Sequence, residues 1–134
     1  IRKITLFFIV YFTFVYALPD KNVVGTELEP CSMSPLTGWR RSGYCDFEAN
    51  DVGIHTVCAQ MTDQFLAFTK NRGNDLSKAS MGFPGLVPGD FWCLCVSRCK
   101  EAIDAGVDLR VKLEATHAQT TKYLKFKELL VAHQ

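Results

Sequence analysis

Three of the six cysteines in this 134-residue chain lie within seven positions, in the stretch FWCLCVSRCKEA at residues 91–102. Cysteines this dense serve as a disulfide framework, as metal ligands or as a reactive thiol. The spacing is C-x-C followed by C-x-x-x-C, which differs from the C-x-x-C of thioredoxin-like enzymes and from paired zinc knuckles. Spacing alone therefore leaves the three roles open.

If the chain is an enzyme, its site is predicted to collect the thiol, imidazole and carboxylate groups on or beside its predicted strands. These candidates are Cys58, Cys93, Cys95, His55, His117 and Asp90. The thiols and imidazoles are also the candidate ligands for a metal ion such as zinc. Isolated histidines more often form hydrogen bonds than bind metal. We therefore expect no cofactor, with a metal ion as the alternative.

The first 17 residues are predicted to be a secretory signal peptide. Arg2 and Lys3 precede an uncharged apolar run over residues 4–16, and the small residue Ala17 suits cleavage. The run is shorter than the roughly 20 apolar residues that a membrane-spanning helix requires. We expect a secreted or secretory-lumen protein that begins at Leu18 and has no membrane association after cleavage.

Residues 18–134 have the length of one domain. The formal net charge is +1, and no basic patch of the kind that binds nucleic acid is present in the sequence. The adjacent Arg40 and Arg41 are predicted to lie on a solvated hairpin over residues 39–45, with anion binding as the alternative. Nucleic acid is not expected as a partner.

Two strand-to-helix units are predicted in the middle of the chain. Residues 55–61 form a strand that leads into a helix over 62–73, with Thr62 as its N-cap. Residues 91–96 form a second strand, followed by a helix that Ser97 caps and Gly106 ends. Each unit places a strand directly before a helix.

The rest of the mature chain completes the predicted architecture. Residues 107–116 alternate apolar and polar side chains, which predicts a strand with one buried face. Residues 118–134 predict one or two short helices, and residues 18–50 are loop-rich. The tail is expected to pack through Leu124, Phe126, Leu129 and Leu130. Together these elements predict a small two-layer α+β domain with a short sheet and two to four helices.

Strand geometry constrains the thiols. Cys93 and Cys95 would project from one face of their strand without bonding to each other, so their partners come from elsewhere in the chain. Cys58 lies on the other strand and is expected within side-chain reach of Cys93 or Cys95. Cys99 is expected in the first turn of the helix, where the helix dipole lowers a thiol pKa, and either pairs with an N-terminal cysteine or stays free. Six cysteines allow 15 pairings, so the connectivity stays open.

Several blocks of the sequence resemble the family called domain of unknown function 2237, best known from bacteria. They are EPCSMSPLTGWRRSGYC, DVGIHTVCAQMTDQFLAF, GNDL, FPGLVPGDFWCLC and LEATH, and the likeness covers about residues 23–133. The resemblance implies an α+β fold and transfers no activity. It implies cysteines at positions 31, 45, 58, 93 and 95 and histidines at 55 and 117, whereas Cys99 replaces a tryptophan.

Two functions are consistent with these features. The first is a secreted binding or interaction module stabilised by disulfides, since an even number of cysteines is typical of small exported domains. The second is a redox or metal-dependent enzyme built on a cysteine–histidine cluster. Whether the chain is an enzyme stays open at this point.

Overall fold

A computed structural model describes residues 20–133. Strands β1 (Val57–Gln60), β2 (Phe91–Leu94) and β3 (Arg110–Val111) form an antiparallel sheet in the order β2-β1-β3. The α-helices are α1 (Asp63–Asn71), α2 (Val96–Asp104) and α3 (Phe126–Ala132), and two 3₁₀ turns span Leu113–Ala115 and Ala118–Lys122. The predicted α+β class is confirmed. The predicted signal peptide lies outside the described residues.

The central strand β1 separates two clusters of buried side chains. Val57 and Ala59 point towards the main core, which the three helices complete. Cys58, between them, points to the opposite face and a second cluster made mostly of cysteines. This division follows from the alternation of side chains along a strand. One face of the sheet therefore holds the helices, and the other holds the sulfur cluster.

Helix α1 begins where the sequence predicts it. The Thr62 hydroxyl accepts a hydrogen bond from the Phe65 amide at 3.0 Å and donates one to the Asp108 carbonyl at 2.7 Å. The cap satisfies an amide that has no acceptor inside the helix. The fully buried Phe65 then anchors α1 in the main core.

Helix α2 begins earlier than predicted. Its N-cap is Cys95, and Ser97 lies exposed in the first turn, so the prediction that Ser97 caps this helix is wrong. The Val96 amide donates to the Ile54 carbonyl at 3.1 Å, and the Cys99 amide donates to the Cys95 carbonyl at 3.1 Å. These bonds end the strand at Leu94. Cys95 therefore lies at a strand–helix junction and not beside Cys93 on the strand.

The long strand predicted over residues 107–116 is largely wrong, because only Arg110–Val111 pair with the sheet. The predicted burial of Leu109, Val111 and Leu113 is nevertheless confirmed. Thr116, which the alternation over residues 107–116 places on the polar face, is fully buried. Its hydroxyl accepts from the Cys58 amide at 3.1 Å and donates to the Lys112 carbonyl at 2.9 Å, which satisfies its polar group.

The two ends of the domain also differ in detail from the prediction. Residues 39–45 form turns and bends and not the predicted hairpin. In the tail, Leu124 and Leu129 are buried as expected, whereas Phe126 and Leu130 are exposed. Among residues 20–133, no helix is long and apolar enough to cross a membrane.

Candidate thiol site

Four of the cysteines form two disulfides, Cys31–Cys58 and Cys45–Cys93. Cys58 lies directly opposite Cys93 in the register of β1 and β2, so the prediction that Cys58 is close to Cys93 is confirmed. All four side chains are buried in the second cluster. The two bonds fasten the loop-rich start of the domain to the sheet.

These sulfurs are close enough together to raise the question of a metal site. The Sγ atoms of Cys31, Cys45 and Cys58 all lie within 4.8 Å of one another. A cysteine binds metal as a thiolate, however, and a disulfide sulfur carries no such charge. A metal ion at this position therefore requires reduction of the disulfides.

The other two cysteines carry free thiols in different environments. Cys99 is fully buried in the main core, and burial, with a smaller contribution from Cys95, raises the pKa of its thiol far above the usual range. The predicted lowering of this pKa is wrong. Because α2 begins at Val96, Cys99 lies one turn inside the helix and faces the core. It stays protonated, which leaves the partly exposed Cys95 as the accessible thiol.

Cys95 is the first member of a chain of three polar side chains. Its Sγ lies 3.0 Å from Nε2 of His55, and Nδ1 of His55 lies 2.7 Å from Oδ1 of Asp51. The Asp51 side chain is buried, whereas that of His55 is 29% exposed. A thiol, an imidazole and a buried carboxylate in this order are the arrangement that activates a nucleophile.

A tight loop between Asp51 and His55 positions the imidazole. The second oxygen of Asp51, Oδ2, accepts a hydrogen bond from the His55 amide at 2.8 Å, so one carboxylate fixes both the backbone and the ring of His55. Ile54 adopts a left-handed φ of 51°, which is uncommon for a β-branched residue. Its carbonyl accepts from Val96, which ties the loop to the start of α2.

Gly53 allows this loop to lie against the site. A Cβ atom at this position would lie 2.7 Å from Cε1 of His55 and 3.1 Å from Sγ of Cys95. The first distance is shorter than a van der Waals contact, so a side chain would displace the imidazole from the thiol. The local sequence Asp51-x-Gly53-x-His55 thus encodes both the orientation of the ring and the room for it.

The electrostatics favour a charged imidazole. The hydrogen bond to Cys95 is the main cause that raises the pKa of His55 to about 9; partial burial opposes the shift, and Asp51 adds to it. His55 is therefore an imidazolium at neutral pH. Cys95 is also the N-cap residue of the nine-residue helix α2, so it lies at the positive end of the helix dipole.

The imidazole ring of His55 lines a cavity of about 490 Å³. Trp39 stacks on His55 with ring centroids 5.5 Å apart and planes inclined by 14°. The remaining lining residues come from two loops and β2: Arg41, Asn74, Asp75, Leu76, Lys78, Ser80, Phe83 and Trp92. Space for a small organic molecule therefore adjoins the imidazole.

The other predicted site residues lie elsewhere. His117 is buried and accepts a hydrogen bond from the Gln119 amide at 3.0 Å through Nδ1, while its Nε2 lies 3.5 Å from the Asp20 carboxylate. Asp90 accepts from the Val87 amide at 3.0 Å and closes a turn. Of the six predicted residues, the structure brings together Cys95 with His55, and Cys58 with Cys93.

Sequence reasoning did not include Asp51 in the site. The sequence does contain a local pattern that points to Asp51. An acidic residue four positions before a histidine, with a glycine between them, is compatible with a turn in which the two side chains form a hydrogen bond. The contact of His55 with Cys95 had no such signal. These two residues are 40 positions apart, and the tertiary fold alone joins them.

The fold and the site together define a small α+β domain with two disulfides and, separate from them, a Cys95–His55–Asp51 triad whose thiol is free. Over residues 21–133 the chain matches the family described as an uncharacterized protein conserved in bacteria, DUF2237, and it belongs to that family. A search of curated proteins found no match.

Proposed function

We propose that the protein is a thiol-dependent enzyme that cleaves or transfers an acyl group through a covalent thioester on Cys95. The observation that carries this proposal is the 3.0 Å contact between Cys95 Sγ and His55 Nε2, with Asp51 on the far side of the ring. The cavity beside His55 supports it by offering room for a substrate.

The proposed reaction has two steps. The Cys95 sulfur attacks the carbonyl carbon of an ester, thioester or amide, and the leaving group departs with the bonding electron pair and takes a proton from His55. Water then attacks the thioester and His55 accepts a proton from that water; the carbon–sulfur bond breaks with its electron pair on Cys95, which releases the acid and restores the starting pair of Cys95 and protonated His55. Asp51 keeps the imidazole ring of His55 in the same orientation during both steps.

The first turn of α2 offers hydrogen-bond donors for the carbonyl oxygen of the substrate, which becomes negative during these steps. Amides in the first turn of a helix have no acceptor inside the helix. Those of Ser97 and Arg98, two and three residues after Cys95, belong to this turn. They are the proposed oxyanion donors, a role that backbone amides commonly fill in acyl transfer.

The alternatives from the sequence fit the arrangement less well. A binding module accounts for the two disulfides but gives no reason for a free thiol held against a charged imidazole. A dithiol redox cycle needs a second reactive thiol, and the other free thiol, Cys99, is buried and protonated. A metal site at the sulfur cluster requires reduction, and acyl transfer by Cys95 requires no metal.

Reaction with p-nitrophenyl acetate tests the proposal. We expect a fast phase that releases one p-nitrophenolate per chain and leaves an acetyl group on the Cys95 peptide, detected by absorbance and peptide mass spectrometry. Cys95→Ser should abolish the fast phase, whereas Cys99→Ala and prior treatment with a chelator should leave it intact. A fast phase of equal size in Cys95→Ser, or its loss after chelation, would refute a metal-free cysteine nucleophile.

We also propose that the protein works in the secretory pathway or outside the cell. The predicted signal peptide over residues 1–17 supports this location, and the two disulfides are compatible with it because such bonds persist in oxidising compartments. The substrate is then an extracellular or lumenal small molecule, and nucleic acid is not a proposed partner.

A further inference from the structure

Arg41 lies in the same cavity as His55 and forms no ion pair with the acidic side chains of residues 20–133. Its neighbour Arg40 pairs with Glu48 at 2.6 Å, whereas Arg41 has no carboxylate within ion-pair distance among residues 20–133. A guanidinium remains charged at all physiological pH values. Within the described part of the chain, Arg41 is therefore a positive charge without an ion-pair partner in the cavity beside His55.

The contacts of Arg41 hold its guanidinium in place. Nη1 donates to the Gly38 carbonyl at 2.7 Å, and Nη2 donates to the Gly82 carbonyl at 3.0 Å. The Trp92 ring lies beneath it, with 4.9 Å from Cζ to the ring centroid. These contacts use two of the five N–H donors of the group and leave three for a ligand.

The backbone conformation of Arg41 is also unusual for a residue other than glycine. Its φ is 56°, in the left-handed region that residues other than glycine seldom adopt. Such conformations persist where surrounding contacts impose them, and they occur often at ligand-binding sites. The strain is consistent with a side chain fixed towards the cavity at a cost in backbone energy.

The charges that line the cavity favour a ligand with a single negative charge. Besides Arg41, Lys78 contributes a second cation and Asp75 one anion, so these three side chains carry a net charge of +1. The charged imidazole of His55 is balanced by the Asp51 carboxylate, 2.7 Å away. One oxygen of Asp75 accepts hydrogen bonds from the Ser77 amide and hydroxyl. The aromatic rings of Trp39, Phe83 and Trp92 provide apolar walls.

We infer that Arg41 binds a carboxylate of the substrate, so that the substrate class is a small acyl compound with one carboxylate and an apolar or aromatic portion. This inference rests on the proposed function of Cys95. A carboxylate matches both the single net charge of the cavity and the planar donor fork of arginine. Arg41 thereby orients the reactive carbonyl towards the thiol and determines specificity.

Two alkylating probes of nearly equal size test the inference. N-bromoacetylglycine carries a carboxylate, and N-bromoacetylglycinamide replaces it with a neutral amide. In both, the Cys95 sulfur bonds to the methylene carbon and bromide leaves with the electron pair of the carbon–bromine bond. The readout is the ratio of the acid rate to the amide rate at Cys95, measured by peptide mass spectrometry.

In the unmodified protein the acid should react faster than the amide, and Arg41→Gln should lower the acid rate about tenfold, the effect of losing one charge-assisted hydrogen bond. The amide rate should stay within about twofold, which also shows that the variant is folded. Arg40→Gln is the matched control and should change neither rate, while Arg41→Lys should restore part of the preference.

An equal acid-to-amide ratio in the unmodified protein and in Arg41→Gln would overturn the inference, as would an equal fall in both rates. A separate result concerns the thiol itself. If the neutral amide alkylates Cys95 no faster than it alkylates a free thiol such as glutathione, the proposed function fails and not the role of Arg41. The two failures are therefore distinguishable.

Discussion

Replacing His55 with alanine should slow the alkylation of Cys95 by iodoacetamide about 20-fold at pH 6. An ordinary thiol, with a pKa of about 8.5, is only about 0.3% ionised at that pH. The 3.0 Å contact places the charged imidazole of His55 where it stabilises negative charge that develops on the Cys95 sulfur. A fully ionised thiol gains about 300-fold in thiolate at this pH but, with its lower pKa, loses about 15-fold in nucleophilicity, which leaves a gain of about 20-fold.

The measurement is the rate of carbamidomethylation of the Cys95 peptide, followed by mass spectrometry. His133→Ala is the matched control, because His133 is exposed, lies in the C-terminal segment and bonds to the Val111 carbonyl at 3.0 Å. It should leave the rate unchanged. Equal rates in the His55→Ala variant and the unmodified protein would show that the imidazole does not activate the thiol.

Removing the Cys45–Cys93 disulfide by a double replacement with alanine should lower the free energy of unfolding by about 4 kcal/mol. The bond joins residues 48 positions apart, and the loss of this constraint on the unfolded chain gives about that figure in the chain-entropy treatment. This is a large part of the roughly 5–15 kcal/mol by which a typical domain is stable. The measurement is urea unfolding followed by circular dichroism.

Cys95→Ser is the control for this experiment, since Cys95 is partly exposed and forms no disulfide. It should cost less than about 1 kcal/mol, as most partly exposed substitutions do. If the double variant and Cys95→Ser unfold at the same urea concentration, the Cys45–Cys93 bond contributes nothing to the stability of the domain.

Much of the fold could be predicted because local signals and burial agree. Thr62 caps α1 as the sequence predicts, since a threonine before an amphipathic stretch satisfies a free amide at the helix start. The segment around Val111 shows the limit of such reasoning. Its alternation predicts burial correctly, but burial on one face does not require a hydrogen-bonded strand, and only two residues pair.

The candidate site was predictable only in part, because its geometry depends on long-range contacts. The sequence singles out Cys95 and His55 but groups them with Cys58 and His117, which the fold places in a disulfide and beside a 3₁₀ turn. The residue at which α2 begins determines the surroundings of both free thiols, Cys95 and Cys99. A shift of its cap from Ser97 to Cys95 leaves Cys95 at the helix terminus and buries Cys99.

An NMR titration of the His55 ring tests the central claim most directly, namely that Cys95 and His55 act as a charged pair. The pKa of His55, raised to about 9 mainly by its hydrogen bond to Cys95, predicts that the ring stays protonated at pH 7 and loses its proton near pH 9. In Cys95→Ser the transition should move towards the ordinary value near 6.5. A His55 transition near pH 6.5 in the unmodified protein, unchanged in Cys95→Ser, would contradict the account.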